Sequence, residues 1–408
     1  MKKIIGTLSV FTALILILSS CSKVDKNAML VPKDAAFAVH LNTNSLSKKL
    51  SWDEIKQTTW FSKMHRSAED SLAQKLLDNP DNSGMKTDAG FAIFAKRATS
   101  QKGYFGVAGS IKDEAAFEAF NKKISNNAAT TNANNLKSIR FDEKGVVSWN
   151  SEKFLYLMDV PFADFSRSFI PTMPDSTGEN FDRPEPAPLD LQSIAGRIFN
   201  YKNDSLLVSD DRFSSLIKED GDVHFWFNAE AAYGSGTSLG FMSMLKMDVY
   251  FKEAVTASTL KFDNGKINVH SRTYANKEMR ELFKRYGGSN INTDLIKRIP
   301  SDNVLGVIAV NYKPEGLKEL MKLGGFDGML NQFLAEMKIT FEDFIAANKG
   351  EMLLAVTDFS MKEKAISLGE GMDSFRTRVP DVNILFANAI GDRAAFDKLI
   401  AAGKAVTE

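Results

Sequence analysis

The sequence has 408 residues, 44% of them hydrophobic and 25% charged, and its 51 lysine and arginine residues equal its 51 aspartate and glutamate residues. This length predicts two or three domains' worth of hydrophobic core, and the composition is that of a globular protein. The balanced charge provides no broad field that would attract nucleic acid or an anionic lipid surface, so we expect no nucleic-acid partner.

Residues 1–20 have the pattern of an export signal, with Lys2 and Lys3 before an apolar run that is too short for a membrane-spanning helix. The segment Leu18-Ser19-Ser20-Cys21 resembles the bacterial lipobox. The resemblance implies that Cys21 receives a diacylglycerol and becomes the mature N-terminus. Acyl chains contribute about 0.8 kcal/mol for each buried CH₂, which anchors such a protein to a membrane.

Cys21 is the only cysteine, so a mature chain that begins there has no thiol left for disulfides, redox chemistry or metal binding. Removal of Lys2 and Lys3 leaves two more acidic than basic side chains. We expect a cell-envelope protein held to the outer membrane by this lipid, with residues 21–28 as a tether. Whether it faces the periplasm or the exterior stays open.

The next segment, 29–160, predicts a first α+β unit. Pro32 stands at the entrance of a strand over 35–42, an apolar stripe predicts helix over 46–77, and Asp113 caps a further helix. The other predicted strands lie at 90–94, 104–111, 139–149 and 154–160.

Residues 161–189 predict a linker or long loop, because five of the eleven prolines lie within 171–188. A middle α+β segment follows over 190–298. It contains a helical stretch capped by Asp210 or Asp211, a strand over Asp222–Asn228, and a hairpin that turns at Asn264-Gly265.

Residues 299–408 predict a second α+β unit related to the first. Ile299-Pro300-Ser301-Asp302 echoes Val31-Pro32-Lys33-Asp34, and Ile390–Phe396 matches Ile111–Phe117 at five of seven positions. Unrelated segments that each contain a strand and a capped helix can show similar sequence matches, and that alternative stays open. The second copy lacks the later hairpin, so we expect either a fragment or a gap filled by strands of the middle segment.

These elements predict an α+β fold of mainly antiparallel sheets faced by helices, built from two related units and a middle segment. If the second unit is incomplete, the strand around Leu385 lies at or near an open sheet edge.

Four features together resemble a family of Bacteroidota envelope lipoproteins that is catalogued only as a domain of unknown function. They are the lipobox, the Pro32 and Asp34 strand opening, the turn over Asn79–Met85 and the strand Asp222–Asn228. The resemblance implies an exported, lipid-anchored protein and brings no catalytic residues with it.

Gly236-Thr237-Ser238-Leu239-Gly240 fits the G-x-S-x-G pattern of a hydrolase nucleophile elbow. The elbow needs a strand that runs directly into the serine, whereas the predicted strand ends at Asn228. Asp248 or Asp263 followed by His270 would complete a triad in the required order, but His270 lies in an alternating strand. We therefore interpret the pattern as a chance match.

No motif indicates a metal or a cofactor. His40, His65, His224 and His270 lack metal-binding spacing, although two of them can still meet in the fold. The Asn79–Gly90 stretch lacks the first aspartate and the final glutamate of a calcium loop. Gly234, Gly236 and Gly240 do not form a dinucleotide fingerprint. Among the acidic residues no pair is selected for glycoside hydrolysis, and helix capping explains Asp210 and Asp211.

We therefore predict a non-catalytic interaction or binding module of the envelope, with an unidentified envelope protein or glycan as partner. The alternative is a surface hydrolase or a glycan-binding component of a nutrient-uptake system, which needs a concave site or an exposed aromatic platform. Burial of the tryptophans would remove the best platform residues, which are Trp52, Trp60, Trp149 and Trp226.

Overall fold

The computed structural model describes most of the chain from residue 28 to residue 407. The export signal, the lipobox and Cys21 lie outside the described residues. So do most of the predicted linker and the Gly236–Gly240 segment. Within 28–407 the gaps are 60, 63–64, 66–79, 100, 134, 143, 162–186, 234–245 and 367–374.

The described helices are α1 (Thr43–Lys49), α2 (Trp52–Lys56), α3 (Glu114–Ile124), α4 (Leu191–Phe199), α5 (Asp211–Leu216), α6 (Ala229–Tyr233), α7 (Asp248–Phe251), α8 (Lys277–Tyr286), α9 (Thr293–Ile296), α10 (Pro314–Leu323), α11 (Asp327–Glu336), α12 (Phe341–Ala347) and α13 (Arg393–Thr407). None of them is long and apolar enough to cross a membrane.

The described strands are β1 (Phe37–Leu41), β2 (Phe91–Arg97), β3 (Lys102–Ser110), β4 (Thr131–Ala133), β5 (Leu136–Asp142), β6 (Gly145–Trp149), β7 (Lys153–Pro161), β8 (Val223–Asn228), β9 (Val255–Asp263), β10 (Lys266–Tyr274), β11 (Val304–Asn311), β12 (Asn348–Ile366) and β13 (Phe375–Ile390).

Two units account for these elements. Unit 1 takes the described residues within Met1–Thr237 and Phe251–Ala275, and unit 2 takes those within Ser238–Tyr250 and Asn276–Glu408. Unit 1 contains a ten-stranded sheet in the order β10-β9-β8-β1-β2-β3-β7-β6-β5-β4. All pairings between the described strands are antiparallel, which confirms the predicted α+β fold.

The sheet of unit 1 is covered on both faces. One face packs α4, α5 and the segment Met29–Val31 against a core that includes Phe94 and Trp226. The opposite face packs α3 against a second core that includes Trp149. Helix α4 buries its face because its apolar residues recur at helical spacing, namely Leu191, Ile194, Ala195 and Ile198.

Local signals fix several of these elements. Asp113 caps α3 by accepting a hydrogen bond from the Ala116 backbone N–H at 3.0 Å. Asp210 caps α5 in the same way, with the Arg212 N–H at 2.9 Å. The β9–β10 hairpin turns at Asn264-Gly265, where Gly265 has a φ of 73° that favours glycine. These predicted caps and this predicted turn are confirmed.

The predicted middle segment does not form a body of its own. Its strands β8, β9 and β10 extend the first sheet, because β8 pairs with the free edge of β1 through Phe37 and Phe227. The predicted helix over 46–77 also differs from the structure, since α1 ends at Lys49. A new helix begins after Ser51, whose side chain forms a capping box with Glu54.

Unit 2 repeats the order of the first three strands, with β11-β12-β13 in place of β1-β2-β3. Helices α10 and α12 contact β12. One face of the sheet buries Leu353 fully, whereas the other exposes Ile384 and Phe386 at 68% and 60%. Strand β13 pairs with β12 and, within the described residues, with no second strand. The strand that contains Leu385 therefore lies at a sheet edge, as predicted.

Candidate functional site

A cleft of about 750 Å³ opens at one end of the unit 1 sheet. The start of β1 and the ends of β2 and β8 meet there, because Phe37 pairs with Ala95 on one side and with Phe227 on the other. We call it the charged cleft, since its lining includes four cationic and four anionic side chains, Lys33, Lys96, Arg97, Arg212, Asp34, Asp204, Asp210 and Glu230.

Arg212 is held in a fixed orientation at this cleft. Its Nε lies 3.0 Å from Asp210 Oδ1, and its second terminal nitrogen lies 2.7 Å from Oδ2. The guanidinium carbon is 5.3 Å from the Trp226 ring centroid and 5.4 Å from that of Tyr274, within cation–π distance of both. The other terminal NH₂ group of the guanidinium therefore forms no hydrogen bond with Asp210.

The pKa directions agree with this pairing. Burial alone would raise the pKa of Asp210, but hydrogen bonds from Arg212 outweigh it and lower that pKa. Hydrogen bonding to Asp210 raises the pKa of Arg212. Both groups therefore stay charged across the physiological range.

A second ion pair lies at the same cleft. The Lys96 ammonium approaches Asp34 at 2.6 Å from Oδ2, joining the end of β2 to the segment before β1. Ser205 also lines the cleft, and its hydroxyl donates to Asp204 at 3.2 Å. Among the described residues that line this cleft there is no histidine to act as a base for Ser205. The cleft presents fixed charges of both signs and hydrogen-bonding groups.

A buried histidine pair lies in the same unit. The cross-strand pairing of β1 and β8 sets His40 directly opposite His224. Their Nδ1 atoms are 3.0 Å apart, and the rings stack with centroids 5.2 Å apart. The sequence left open whether two histidines meet, and the alternation of β8 is the signal that places His224 on the same face as Trp226.

The hydrogen-bond network assigns the protons of this pair. His224 Nε2 lies 3.1 Å from the Glu219 carbonyl oxygen, which can only accept, so this nitrogen carries a proton. In the neutral ring His224 Nδ1 is then an acceptor, and His40 donates through its own Nδ1. His40 Nε2 is left as a buried acceptor without a hydrogen-bond partner. Burial first, and then His224, lower the pKa of His40 to about 3.

The remaining histidines do not join this pair. His65 packs against Phe61, with ring centroids 6.2 Å apart. His270 is exposed on β10, opposite Thr259. Across the part of the chain that the structure describes, no group of three or more acidic, histidine or cysteine side chains is arranged to hold a metal ion.

The serine elbow Gly236–Gly240, including Ser238, lies outside the described residues. Of its predicted partners, Asp263 accepts a hydrogen bond from Asn268 across the β9–β10 turn at 2.5 Å. Asp248 begins α7 and is counted with unit 2. The described part of the Asn79–Gly90 stretch forms a short 3₁₀ turn at Pro80–Ser83.

The three tryptophans that the structure describes provide little exposed aromatic surface. Trp149 and Trp226 are both buried in the two cores of unit 1. Trp52 is half-buried and meets Phe61 edge-on, whereas Trp60 lies outside the described residues. Burial removes Trp149 and Trp226 from the set of residues on which a glycan platform was predicted.

Comparison with known proteins finds a distant structural similarity to one solved structure. No family model matches the chain, and no curated protein matches it. A solved structure described as "Structure of crystal form I of TP0453" superposes on 66% of this chain and 90% of its own, with 12% sequence identity and a TM-score of 0.31. At this TM-score the superposition supports no argument about function.

Proposed function

We propose that this protein is a lipid-anchored envelope protein that binds a protein partner at the charged cleft without transforming it. The lipobox that ends at Cys21 supports the anchor. The resemblance to Bacteroidota envelope lipoproteins agrees with that location. An outer-membrane anchor through Cys21 leaves the folded units free to meet a partner.

The observation that carries the binding proposal is the fixed geometry of Arg212. Because Asp210 and the two aromatic rings already orient the guanidinium, little side-chain entropy is lost when a ligand binds it. A cleft of about 750 Å³ has the volume of a small-molecule pocket, which is enough for a short peptide segment of a partner.

The charges of the cleft indicate the kind of partner. Cations and anions are interleaved, with Asp34 beside Lys96 and Asp210 beside Arg212. A ligand with a single sign of charge would meet repulsion from half of the lining. A peptide segment that carries both signs fits better, which favours an envelope protein over a neutral glycan at this cleft.

The anchor is tested by fractionation. We expect the wild-type protein to incorporate radiolabelled palmitate and to sediment with membranes. Cys21→Ser is expected to lose the label and the membrane association. Labelling that persists in Cys21→Ser would contradict the lipid anchor.

The cleft is tested by quantitative pull-down of the full-length anchored protein from detergent-solubilised envelopes. Arg212→Met keeps the apolar length of the side chain but removes its donors, and we expect it to lower recovery of a specific partner protein at least tenfold. Arg393→Met is the matched control, because Arg393 forms an exposed ion pair with Asp397 in unit 2.

Two outcomes would reject this proposal. Equal recovery of partners by wild type and Arg212→Met would exclude the charged cleft as the binding surface. Recovery of polysaccharide at this cleft would favour the alternative function in glycan uptake, and shortening of that polysaccharide would indicate a hydrolase.

A further inference from the structure

A second polar cleft, of about 700 Å³, lies elsewhere in unit 1. It is bounded by α4, by the turn between β4 and β5, and by the turn between β6 and β7. We call it the amide cleft, because five carboxamide side chains line it, those of Asn132, Asn135, Asn150, Gln192 and Asn200.

Two of these carboxamides are held in place by hydrogen bonds to one of their two terminal atoms. Asn150 Oδ1 accepts from the backbone N–H groups of Glu152 and Lys153, both at 3.0 Å. Asn200 Nδ2 donates to the Gly196 carbonyl at 2.8 Å. These bonds identify which end is oxygen and which is nitrogen. The other ends, a donor on Asn150 and an acceptor on Asn200, have no partner within the described residues.

Gly196 is a second, independent indication of a ligand. It stands in the interior of α4, where glycine is less favourable than alanine. Its φ is not in the left-handed region, and a Cβ at this position would meet nothing within 4 Å. Neither backbone conformation nor packing against the described residues therefore requires glycine here. Since Gly196 lines the amide cleft, its missing side chain leaves room inside it.

The charges of the amide cleft argue against an anionic ligand, because the carboxylates of Glu114 and Glu152 are part of its lining. Its one lining cation, Lys137, lies 3.0 Å from Glu114 and 2.9 Å from Glu118, so two carboxylates neutralise it. The Phe199 side chain adds an apolar aromatic surface to the lining. Groups that both donate and accept suit the vicinal hydroxyls of a sugar ring, and an aromatic ring suits its C–H face.

From these observations we propose that the amide cleft binds a neutral saccharide, with Asn150 donating to one hydroxyl and Asn200 accepting from another. The space beside Gly196 holds part of the sugar ring. This site is separate from the charged cleft and does not depend on a protein partner there. A peptide fits the amide cleft less well, because its lining has few apolar surfaces for peptide side chains.

The test is affinity electrophoresis of the detergent-solubilised full chain through native gels that contain laminarin, xyloglucan, starch or dextran. We expect at least one of these neutral polysaccharides to retard the wild-type protein. Gly196→Leu fills the cleft with a good helix former, and we expect it to raise the Kd at least tenfold. Asn200→Ala, at an exposed position, removes the acceptor assigned to one hydroxyl and is expected to raise the Kd severalfold.

Gly196→Ala is the matched control, because it adds one methyl group to the same helix and should retain most of the binding. Arg212→Met should bind the polysaccharide like wild type, which separates this proposal from the function proposed for the charged cleft. Absence of retardation by all four polysaccharides would overturn the proposal. Retardation that is unchanged in both Gly196→Leu and Asn200→Ala would overturn it as well.

Discussion

His40 and His224 face each other across two neighbouring strands of unit 1, with their Nδ1 atoms 3.0 Å apart and no other imidazole beside them in the described residues. Both are fully buried. The folded protein therefore keeps the pair neutral, since burial lowers the pKa of His40 to about 3 and lowers that of His224 as well.

This pair predicts a loss of stability in mild acid. The unfolded chain takes up a proton near its ordinary pKa of about 6.5, whereas the folded chain resists protonation of His40 down to about 3. The free energy of unfolding should therefore fall as the pH drops through this window, by up to about 5 kcal/mol for His40.

Urea denaturation at pH 7 and at pH 4.5 measures this loss. The double variant His40→Leu/His224→Leu should lose less stability between the two pH values than wild type. His270→Gln, at an exposed position on β10, should behave like wild type. An equal pH dependence in the double variant would show that other groups cause the acid sensitivity.

Asp222 predicts a second effect, on the attachment of α1 to the sheet. Its buried carboxylate accepts from Ser45 Oγ, Lys49 Nζ and the Phe262 N–H, each at 2.6 Å. Asp222→Asn keeps the shape but replaces one acceptor oxygen with a donor. We expect a loss of about 2–3 kcal/mol in the free energy of unfolding.

The control for this prediction is Asp220→Asn, because Asp220 forms an exposed ion pair with Lys261. Its denaturation midpoint should stay close to that of wild type. A comparable loss in both variants would indicate a general charge effect and not the hydrogen bonds of Asp222.

Two glycines predict opposite effects of the same substitution. A Cβ on Gly106 would lie 2.3 Å from the Phe94 ring, so Gly106→Ala should cost about 1–3 kcal/mol through overpacking. Gly196→Ala should add about 0.5–1 kcal/mol, because its Cβ meets open space on a helix. Chemical denaturation of the two variants checks both signs, and stabilisation by Gly106→Ala would contradict the packing at Phe94.

The two faces of the unit 2 sheet predict unequal costs of truncation. Leu353→Ala empties a fully buried position and should cost about 2–5 kcal/mol. Ile384→Ala removes atoms that are largely in water and should stay within about 0.5 kcal/mol of wild type. Amide hydrogen exchange along β12 reports on this unit. A large loss of protection in Ile384→Ala would mean that the exposed face is covered in solution.

Local chemistry explains which elements were predictable. The Asn264-Gly265 turn and the Asp113 cap depend on neighbours within a few residues, so their sequence patterns were sufficient. The break after α1 was missed because the apolar stripe continues through it, while the capping box of Ser51 starts a new helix. The partner of β8 was missed because a strand's alternation does not identify the strand beside it.

The candidate sites were harder to predict for the same reason. Arg212 lies on α5 and Lys96 on β2, and only the packing of α5 against the sheet brings them to one cleft. Asp210 was predicted as a helix cap, and the structure adds that the same carboxylate orients Arg212. The carboxamides of the amide cleft carry no sequence motif, since asparagine is also the ordinary residue of turns.

The pairing of β1 with β8 also has a consequence for how the protein reaches its folded state. The two strands are separated by 184 residues at the histidine pair, and β9 follows only after the chain has passed through residues counted with unit 2. Contacts of such long range are formed late, because the loop between them must close first. While β8 is still being synthesised, one edge of β1 has no strand beside it, and that edge is where premature association with another chain would begin.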